Sequence, residues 1–492
     1  MTISTAFPFD NTYATQMKDF VLPARAADFP SPKLMALNEG LASELGLDVE
    51  GLRTEGHRIF SGQDLPDGAA PVAQFYAGHQ FGGFSPQLGD GRAMMLGEVV
   101  APDGRRVDLQ LKGSGPTGFS RGGDGKAAIG PVLREYLMGE AMHALGIPTT
   151  RMLAAVSTGE PVFREETLPG AVVTRVASSH LRVGTFEFYA ARKDVKHTRQ
   201  LADYAIVRHY PHLEGTPNKY IGLLNAVGDA QADLIAKWML VGFIHGVMNT
   251  DNVTISGQTI DFGPCAFMDT FGSRTVFSSI DRGGRYAYGN QPGIGQWNLA
   301  RFAETLLPLL DDDTEVGTEH ARQALRSFAL RYQSKWTDGM RTKLGILEAD
   351  DEDEGLAERL TGLLEEQALD YTTTMRGLSD VLRFDDGVFR ERLADPDAFD
   401  AWAKPWLARL DAQEGGRAAA ADRMDAVNPV YIPRNHLVEQ TLAAAVDDRD
   451  LGPFERLLDA VTQPYTPRAG FESYAEPAPR AFTQAYKTFC GT

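Results

Sequence analysis

The stretch from His245 to Asp269, HGVMNTDNVTISGQTIDFGPCAFMD, constrains this chain more than any other. It sets HGVMNTDN (245–252) a short distance ahead of Asp261-Phe262-Gly263, a literal DFG. Between them, Val253-Thr254-Ile255 and Gln258-Thr259-Ile260 flank Ser256-Gly257, which predicts a short β-hairpin. A hairpin of that length returns Asn252 and Asp261 to one end. An amide oxygen and a carboxylate brought together in this way form a hard-oxygen site suited to Mg²⁺, which takes few protein ligands and fills its shell with phosphates and water. A plain turn with solvated Asp and Asn is the alternative. The order of the two motifs favours the site.

Protein kinases place H-R-D-x-x-x-x-N before D-F-G. In this chain the position of the kinase Asp falls on Val247, which cannot accept a proton. Asp251, directly before Asn252, is the nearest carboxylate that could take its place. Either the chain is inactive, or its chemistry differs from ordinary γ-phosphoryl transfer.

The preceding residues supply what such a loop would work with. Residues 74–100 hold five glycines ahead of a strand-like Ala93–Val100, and Gly89-Asp90-Gly91-Arg92 stands at its entrance. Tight glycine turns expose backbone N–H groups to phosphate, and Arg92 adds a forked donor; Asp90 is unfavourable there unless the arginine offsets it. A ligand-free turn is the plainer reading of that segment alone. Val107–Lys112 alternates as a strand ending in lysine. Pro131–Leu145 then reads as an amphipathic helix ended by Gly146-Ile147-Pro148, and either Glu135 or Glu140 could pair with Lys112, with Glu135 the narrow choice by distance along the chain. The intervening loop, 113–130, has six glycines before Ala127 and carries Arg121, Asp124 and Lys126, as a binding loop or lid would. Arg175, on a strand expected at Ala171–Ala177, and Arg182 add further cations, so that one lobe gathers the makings of a triphosphate cradle.

Helical spacing marks 229–247 as an apolar helix running into the HGVMNTDN loop, and Lys33–Leu45 as a helix. It also marks helices at Trp297–Leu310, Glu319–Leu344, Gly355–Leu369, Asp397–Glu414 and Leu437–Val446, with Pro405 expected to kink or split the fourth. These elements predict an α+β, two-lobed, protein-kinase-like fold. Residues 1–70 would be an N-terminal extension, 71–225 the N-lobe, and 226–492 a mainly helical C-lobe with a C-terminal elaboration.

A net charge of −18 argues against a nucleic-acid or anionic-membrane binder, though not against a nucleotide held by local positive charge. No secretory signal or membrane-length apolar run is legible, so a cytoplasmic monomer is the expectation. The two cysteines, Cys265 just after the DFG and Cys490 near the C-terminus, are too few for a disulfide framework or a zinc site. They are either a buried small residue and a stray tail thiol, or a redox clasp.

YAGHQFGGFSPQLGDGRAMMLGE, LQLKGSGPTGFSRGGDGKAA, LREYLMGEAMHALGIPTTR, HGVMNTDN, DFGPCAFMD and NPVYIPRNHLVE together resemble the selenoprotein O family of kinase-fold protein adenylyltransferases, over most of the chain. The resemblance implies ATP bound inverted relative to kinases, so that AMP passes to Ser, Thr or Tyr hydroxyls of protein substrates. It implies that Lys112 pairs with Glu135, and that Gly89, Gly91, Arg92, Asp124, Gly125, Arg175 and Arg182 line the nucleotide. It further implies that Asn252 and Asp261 hold Mg²⁺, that Asp251 accepts the proton, and that Cys265 and Cys490 can pair. A cradle directed at phosphates leaves ATP against UTP, and Mg²⁺ against Mn²⁺, open. A conventional kinase and an inactive nucleotide-binding scaffold are the competing readings.

Overall fold

The computed structural model describes residues 5–384 and 387–489. Its centre is an antiparallel sheet of eight strands. Seven follow one path: Val21–Pro23, Val72–Gln74, Ala93–Val100, Arg106–Lys112, Thr167–Ala177, Arg151–Phe163 and Lys33–Leu37; Ala127–Ala128 pairs separately with Thr167–Ala177. The two edge strands, 21–23 and 33–37, come from one short segment that wraps the sheet. Lys33–Leu45, expected as a single helix, therefore splits into an edge strand and a helix, Glu39–Glu44, capped by the Asn38 side chain accepting from Leu41 N–H. The pairing partner of that strand is Arg151–Phe163, more than a hundred residues away, which no local signal could supply.

The alternation at Arg106–Lys112 has a cause beyond half-burial. Both faces of the strand are buried, and the polar set Asp108, Gln110 and Lys112 turns to one face where each meets a partner. Residues Arg151–Phe163 form one long strand. The helix Ile129–Ala144 packs across the sheet, burying Val132, Leu133, Tyr136, Leu137 and Ala141.

Beyond the sheet the chain is helical. Lys219–Leu240 ends seven residues earlier than the expected limit of 247, and the chain then forms the strand Phe243–Ile244. Gln291–Leu310, Thr314–Lys343, Asp353–Glu366, Pro396–Ala412 and Asn435–Ala443 match the periodic segments. Pro405 lies inside a continuous helix. Tyr371–Arg383 and Gly416–Asp425 are further helices outside the periodic segments named above.

The expected hairpin at Val253–Ile260 does not form. Its turn is closed by a side chain, since Thr254 Oγ1 donates to Gln258 O (2.6 Å) and accepts from Gln258 N (2.9 Å). The arms pair outward instead: Ile255 N donates to Leu181 O and Thr259 N to Pro148 O. The ladder that brings the two motifs together lies one step out, with Phe243 opposite Phe267 and Ile244 opposite Ala266.

Candidate active site

Lys112 ends its strand and Glu135 sits in the second turn of the Ile129–Ala144 helix. Lys112 Nζ lies 2.8 Å from Glu135 Oε2 and 2.7 Å from Asp261 Oδ1. Arg175, opposite Gln110 in the sheet register, reaches the same two carboxylates, at 2.5 Å (Nε to Glu135 Oε1) and 3.3 Å (to Asp261 Oδ1). Two cations thus face two anions in a water-poor setting, where each charge needs a partner. Burial opposes ionisation of both carboxyls, but Lys112 and Arg175, joined at Asp261 by Arg92, hold Asp261 well below the usual carboxylate range and also lower Glu135. Glu140, the other candidate, is taken up by Arg151 (2.8 Å) and Asn38 (2.8 Å).

The HGVMNTDN loop is fixed from below. His245 Nε2 lies 2.9 Å from Ile260 O, tying this loop to the residue before Asp261. Gly246, at φ +84°, has the Pro264 carbonyl where a Cβ would stand, at 2.5 Å, so only glycine lets the two segments meet this closely. Asp261 itself adopts φ +67°, a conformation costly for a non-glycine residue and concentrated at functional sites. Asp251, Asn252, Asp261, Lys112, Arg92, Arg175 and Arg182 all line one cavity of about 300 Å³. Asn252 Nδ2 donates to Val247 O (3.1 Å), which commits its nitrogen and leaves its oxygen for a cation. An ionised Asp261 and an amide oxygen are a donor set that fits Mg²⁺ completed by phosphates and water. Among the described residues no cluster of three His, Cys, Asp or Glu offers an all-protein metal cage.

Asp251 is 8 % exposed. Burial raises its pKa to about 6; the Asp261 charge adds to the rise, while Arg182 and Gln80 oppose it. Its Oδ1 is buried with no hydrogen-bond partner.

The expected cradle divides. Arg182 stacks on the Tyr76 ring at 4.3 Å and stands 3.5 Å from Asp90. Asp90 also accepts from Gln74 N (3.1 Å), so it is Arg182, and not Arg92, that offsets this carboxylate. The Arg92 side chain has no hydrogen-bond or ion-pair partner among the described residues and lines both this cavity and a neighbouring apolar one of about 770 Å³. Gly91 lines the site, while Gly89 (φ +75°) lies behind it against the Phe119 ring. Asp124 and Gly125 do not line the 300 Å³ cavity. Asp124 is paired with Arg164 (2.8 Å), Lys126 with Glu160 (2.7 Å), and Gly125 is pressed on the Gly115 carbonyl.

Several site residues went unread in the sequence. The hairpin of Gly78–Gln80 and Gly83–Ser85 lies on the HGVMNTDN loop: His79 N donates to Thr250 Oγ1 (2.7 Å), Phe81 N to Asn249 Oδ1 (3.0 Å) and Gln80 Nε2 to Asp251 Oδ2 (3.2 Å). Glu187 accepts from Thr250 Oγ1 (2.5 Å) and lies 2.5 Å from His79 Nδ1; Tyr286 OH donates to Asn249 Oδ1 (2.6 Å). The only signal was the run GHQFGG itself, polar and glycine-rich with a phenylalanine inside it.

Cys265 is fully buried, its thiol donating to Phe262 O (3.2 Å), and burial pushes its pKa up to about 12. Cys490 lies outside the described residues. The tail just before it is anchored beside Cys265, with Thr488 Oγ1 donating to Pro264 O (2.7 Å). A groove of about 980 Å³, larger than the cavity above, runs from Thr12 to Gln258 and holds none of the candidate residues, so volume is a poor guide here.

An antiparallel sheet that carries a buried Lys–Glu–Arg–Asp cluster beside an Asp–Asn loop defines a mixed α/β protein with a charged cleft. The chain belongs to the family described as protein adenylyltransferase SelO, whose model matches residues 4–462. It is 58 % identical over 487 residues to a Cereibacter sphaeroides protein named protein nucleotidyltransferase YdiU, covering 99 % of this chain and 100 % of that one. Rhizobium johnstonii and Rhizobium etli proteins of the same name are 56 % and 55 % identical over 490 residues, covering 99 % of this chain and 98 % of each.

Proposed function

We propose that this protein transfers AMP from ATP to hydroxyl side chains of other proteins, with the nucleotide inverted relative to a kinase. Family membership supports the reaction class. The observation that carries the orientation is the placement of cations. Arg175 and Arg182 are almost fully buried at 3 % and 5 % exposure, and Lys112 is close behind at 7 %. The most charged end of a triphosphate belongs where the dry cations are, because buried phosphate requires paired charge. With β- and γ-phosphates inward, the α-phosphate is left facing Asp251, and Val247 stands where a kinase has its base.

The reading assigns each residue a task. Lys112, Arg175, Arg182 and Arg92 bind phosphate oxygens; Glu135 holds Lys112 and Arg175 in place; Gly91 lets backbone approach, and Gly89, Asp124 and Gly125 would contribute after the 113–130 loop rearranges about bound nucleotide. Asn252 and Asp261 would hold Mg²⁺ or Mn²⁺, which supplies charge neutralisation to the phosphates. The acceptor oxygen bonds to the α-phosphorus as the bond from that phosphorus to the bridging oxygen breaks. Pyrophosphate leaves, and Asp251 takes the acceptor proton. Positioning and fixed charge do most of the work. The layout of lysine strand, glutamate helix, Asn loop and DFG also supports a kinase-like arrangement, with an extension at 1–70, an N-lobe at 71–225 and a C-lobe at 226–492.

Mass spectrometry after incubation with ATP and Mg²⁺ tests this. An AMP-sized gain on protein, lost in Asp261→Ala, with pyrophosphate released, is expected. A phosphate-sized gain with ADP released overturns it.

The same reading includes redox control. A peroxide- or disulfide-class oxidant would remove two electrons as Cys265 and Cys490 lose their protons and form one S–S bond. Equal transfer rates in oxidised, reduced and Cys490→Ser protein would sink it.

A further inference from the structure

We infer that the Gly78–Ser85 hairpin holds the proton-accepting carboxylate in register, with Gln80 as a positioning residue for Asp251. The inference rests on the reading of Asp251 as proton acceptor given above.

The two carboxylate oxygens of Asp251 are treated differently. Oδ2 accepts the Gln80 side-chain N–H at 3.2 Å, while Oδ1 has no partner although it is buried. A buried carboxylate oxygen without a donor is unusual and calls for a reason. The hairpin provides space for it. A Cβ on Gly78 would stand 2.7 Å from Oδ1 and 3.1 Å from the Asp251 Cβ, so glycine at this position keeps that oxygen clear. One strand of the hairpin thus restrains one oxygen and, with no side chain at Gly78, puts neither a donor nor further bulk on the other. An acceptor hydroxyl needs this division, since it must find a free oxygen in a fixed direction.

The hairpin is rigidly attached to the loop it serves. His79 and Phe81 both donate backbone N–H groups to that loop, at Thr250 and Asn249. The Glu187 carboxylate then spans Thr250 and the His79 ring. From the other side, Gly184 packs with its Cα-face on the Ala77 carbonyl and the Asp251 backbone, where a Cβ would meet them at 2.2 Å and 3.3 Å. The turn itself is strained. Phe81 adopts φ +51° and Gly82 φ +85°, the double positive pair of a tight hairpin turn, in which Asn or Gly is the usual first residue. Phenylalanine there costs backbone energy, and such strain concentrates where a geometry is over-determined for function. Phe81 is kept in place by the Tyr286 ring at 5.2 Å, and Tyr286 also binds Asn249. Gln80 itself is solvent-exposed, so no packing role accounts for its aim at Asp251.

The test compares wild type, Gln80→Leu and Gly78→Ala in the full-length protein, with ATP, Mg²⁺ and casein as a hydroxyl-rich acceptor. kcat for AMP incorporation, KM for ATP, ATP affinity by calorimetry and Tm are measured together. Expected is a kcat lowered about 10- to 100-fold in each variant, the scale of lost support to a functional ligand. ATP affinity and Tm should stay at the wild-type values in Gln80→Leu, whereas Gly78→Ala must displace the Asp251 carboxylate it crowds; a Gln80→Glu variant, which replaces the donor with a like charge, should fall below Gln80→Leu. Unchanged kcat in Gln80→Leu overturns the inference, and so does a loss that follows Tm or ATP affinity. Wild-type protein that incorporates no AMP at all fails the underlying reading instead.

Discussion

Arg92 and Arg182 bring the same charge to the same cavity but stand under different constraints. Arg182 lines the cavity and also neutralises Asp90, which is 1 % exposed and cannot be left alone. The Arg92 side chain has no ion-paired carboxylate among the described residues, and its charge only supports Lys112 and Arg175 at Asp261. Arg182→Met should therefore lower stability by about 3 kcal/mol, the cost of stranding a buried charge. Arg92→Met should change it by no more than about 0.5 kcal/mol, as for a side chain without partners. Both should weaken ATP binding at least about tenfold, for loss of a charge-assisted contact. Chemical unfolding and calorimetric titration of the two variants separate the roles; equal stability losses would show that the Arg182–Asp90 pair is not a structural necessity.

Elements show why some of the site was legible in sequence and some was not. Lys112, Glu135, Asn252 and Asp261 could be read because each stands at a recognisable place in a local pattern: the end of a strand, a helix after a glycine loop, a turn. Gln80, Glu187 and Tyr286 could not, because their meaning lies in contacts across 171, 63 and 37 residues of chain. The Tyr371–Arg383 helix differs: Tyr371, Met375, Leu378 and Leu382 do form an apolar stripe, but three threonines in its first turn lower its local helix preference. The run NPVYIPRNHLVE likewise gave no chemistry by itself. In the structure, Arg434 is 1 % exposed and donates to Asp269 (2.6 Å) and Asp370 (2.7 Å), while Asn435 Nδ2 donates to Phe267 O (2.8 Å). These bonds fasten the strand after the DFG to the C-terminal helices. Arg434→Leu leaves two buried carboxylates facing each other, and a loss of about 3–5 kcal/mol is expected in urea unfolding. A variant as stable as wild type would mean that the clamp is dispensable.

At the scale of the whole molecule, one buried cation sets a pH dependence. Lys343 is 5 % exposed near the Tyr371 ring (5.8 Å), and burial lowers its pKa to about 7. Below pH 7 the folded protein must carry the buried ammonium, and its stability is at the penalised level. Above pH 7 the folded lysine is neutral while the unfolded one keeps its proton to about pH 10.4, so unfolding takes up a proton and stability rises with pH. Lys343→Met, which has no such penalty, should be more stable than wild type at pH 6 by a few kcal/mol, and the gap should narrow by about 2–3 kcal/mol between pH 7 and pH 9. Unfolding curves at the three pH values check this; a gap that stays constant would place the ammonium in contact with water.

The segment that wraps the sheet has a consequence for how this protein stays apart from its own copies. An open antiparallel sheet exposes a row of unpaired N–H and C=O groups along each rim, and such rims recruit strands from other molecules. Here both rims are short strands from one segment, 21–23 on one side and 33–37 on the other, and they carry Pro23 and Lys33, residues that discourage an added strand. Removal of residues 5–40 would uncover Val72–Gln74 and Arg151–Phe163 together, two adhesive borders on one particle. Light scattering of the shortened chain should then show open-ended growth of assemblies, and a stable single species would show that other parts of the fold shield those borders. On this view residues 5–40 act as a built-in guard against self-association.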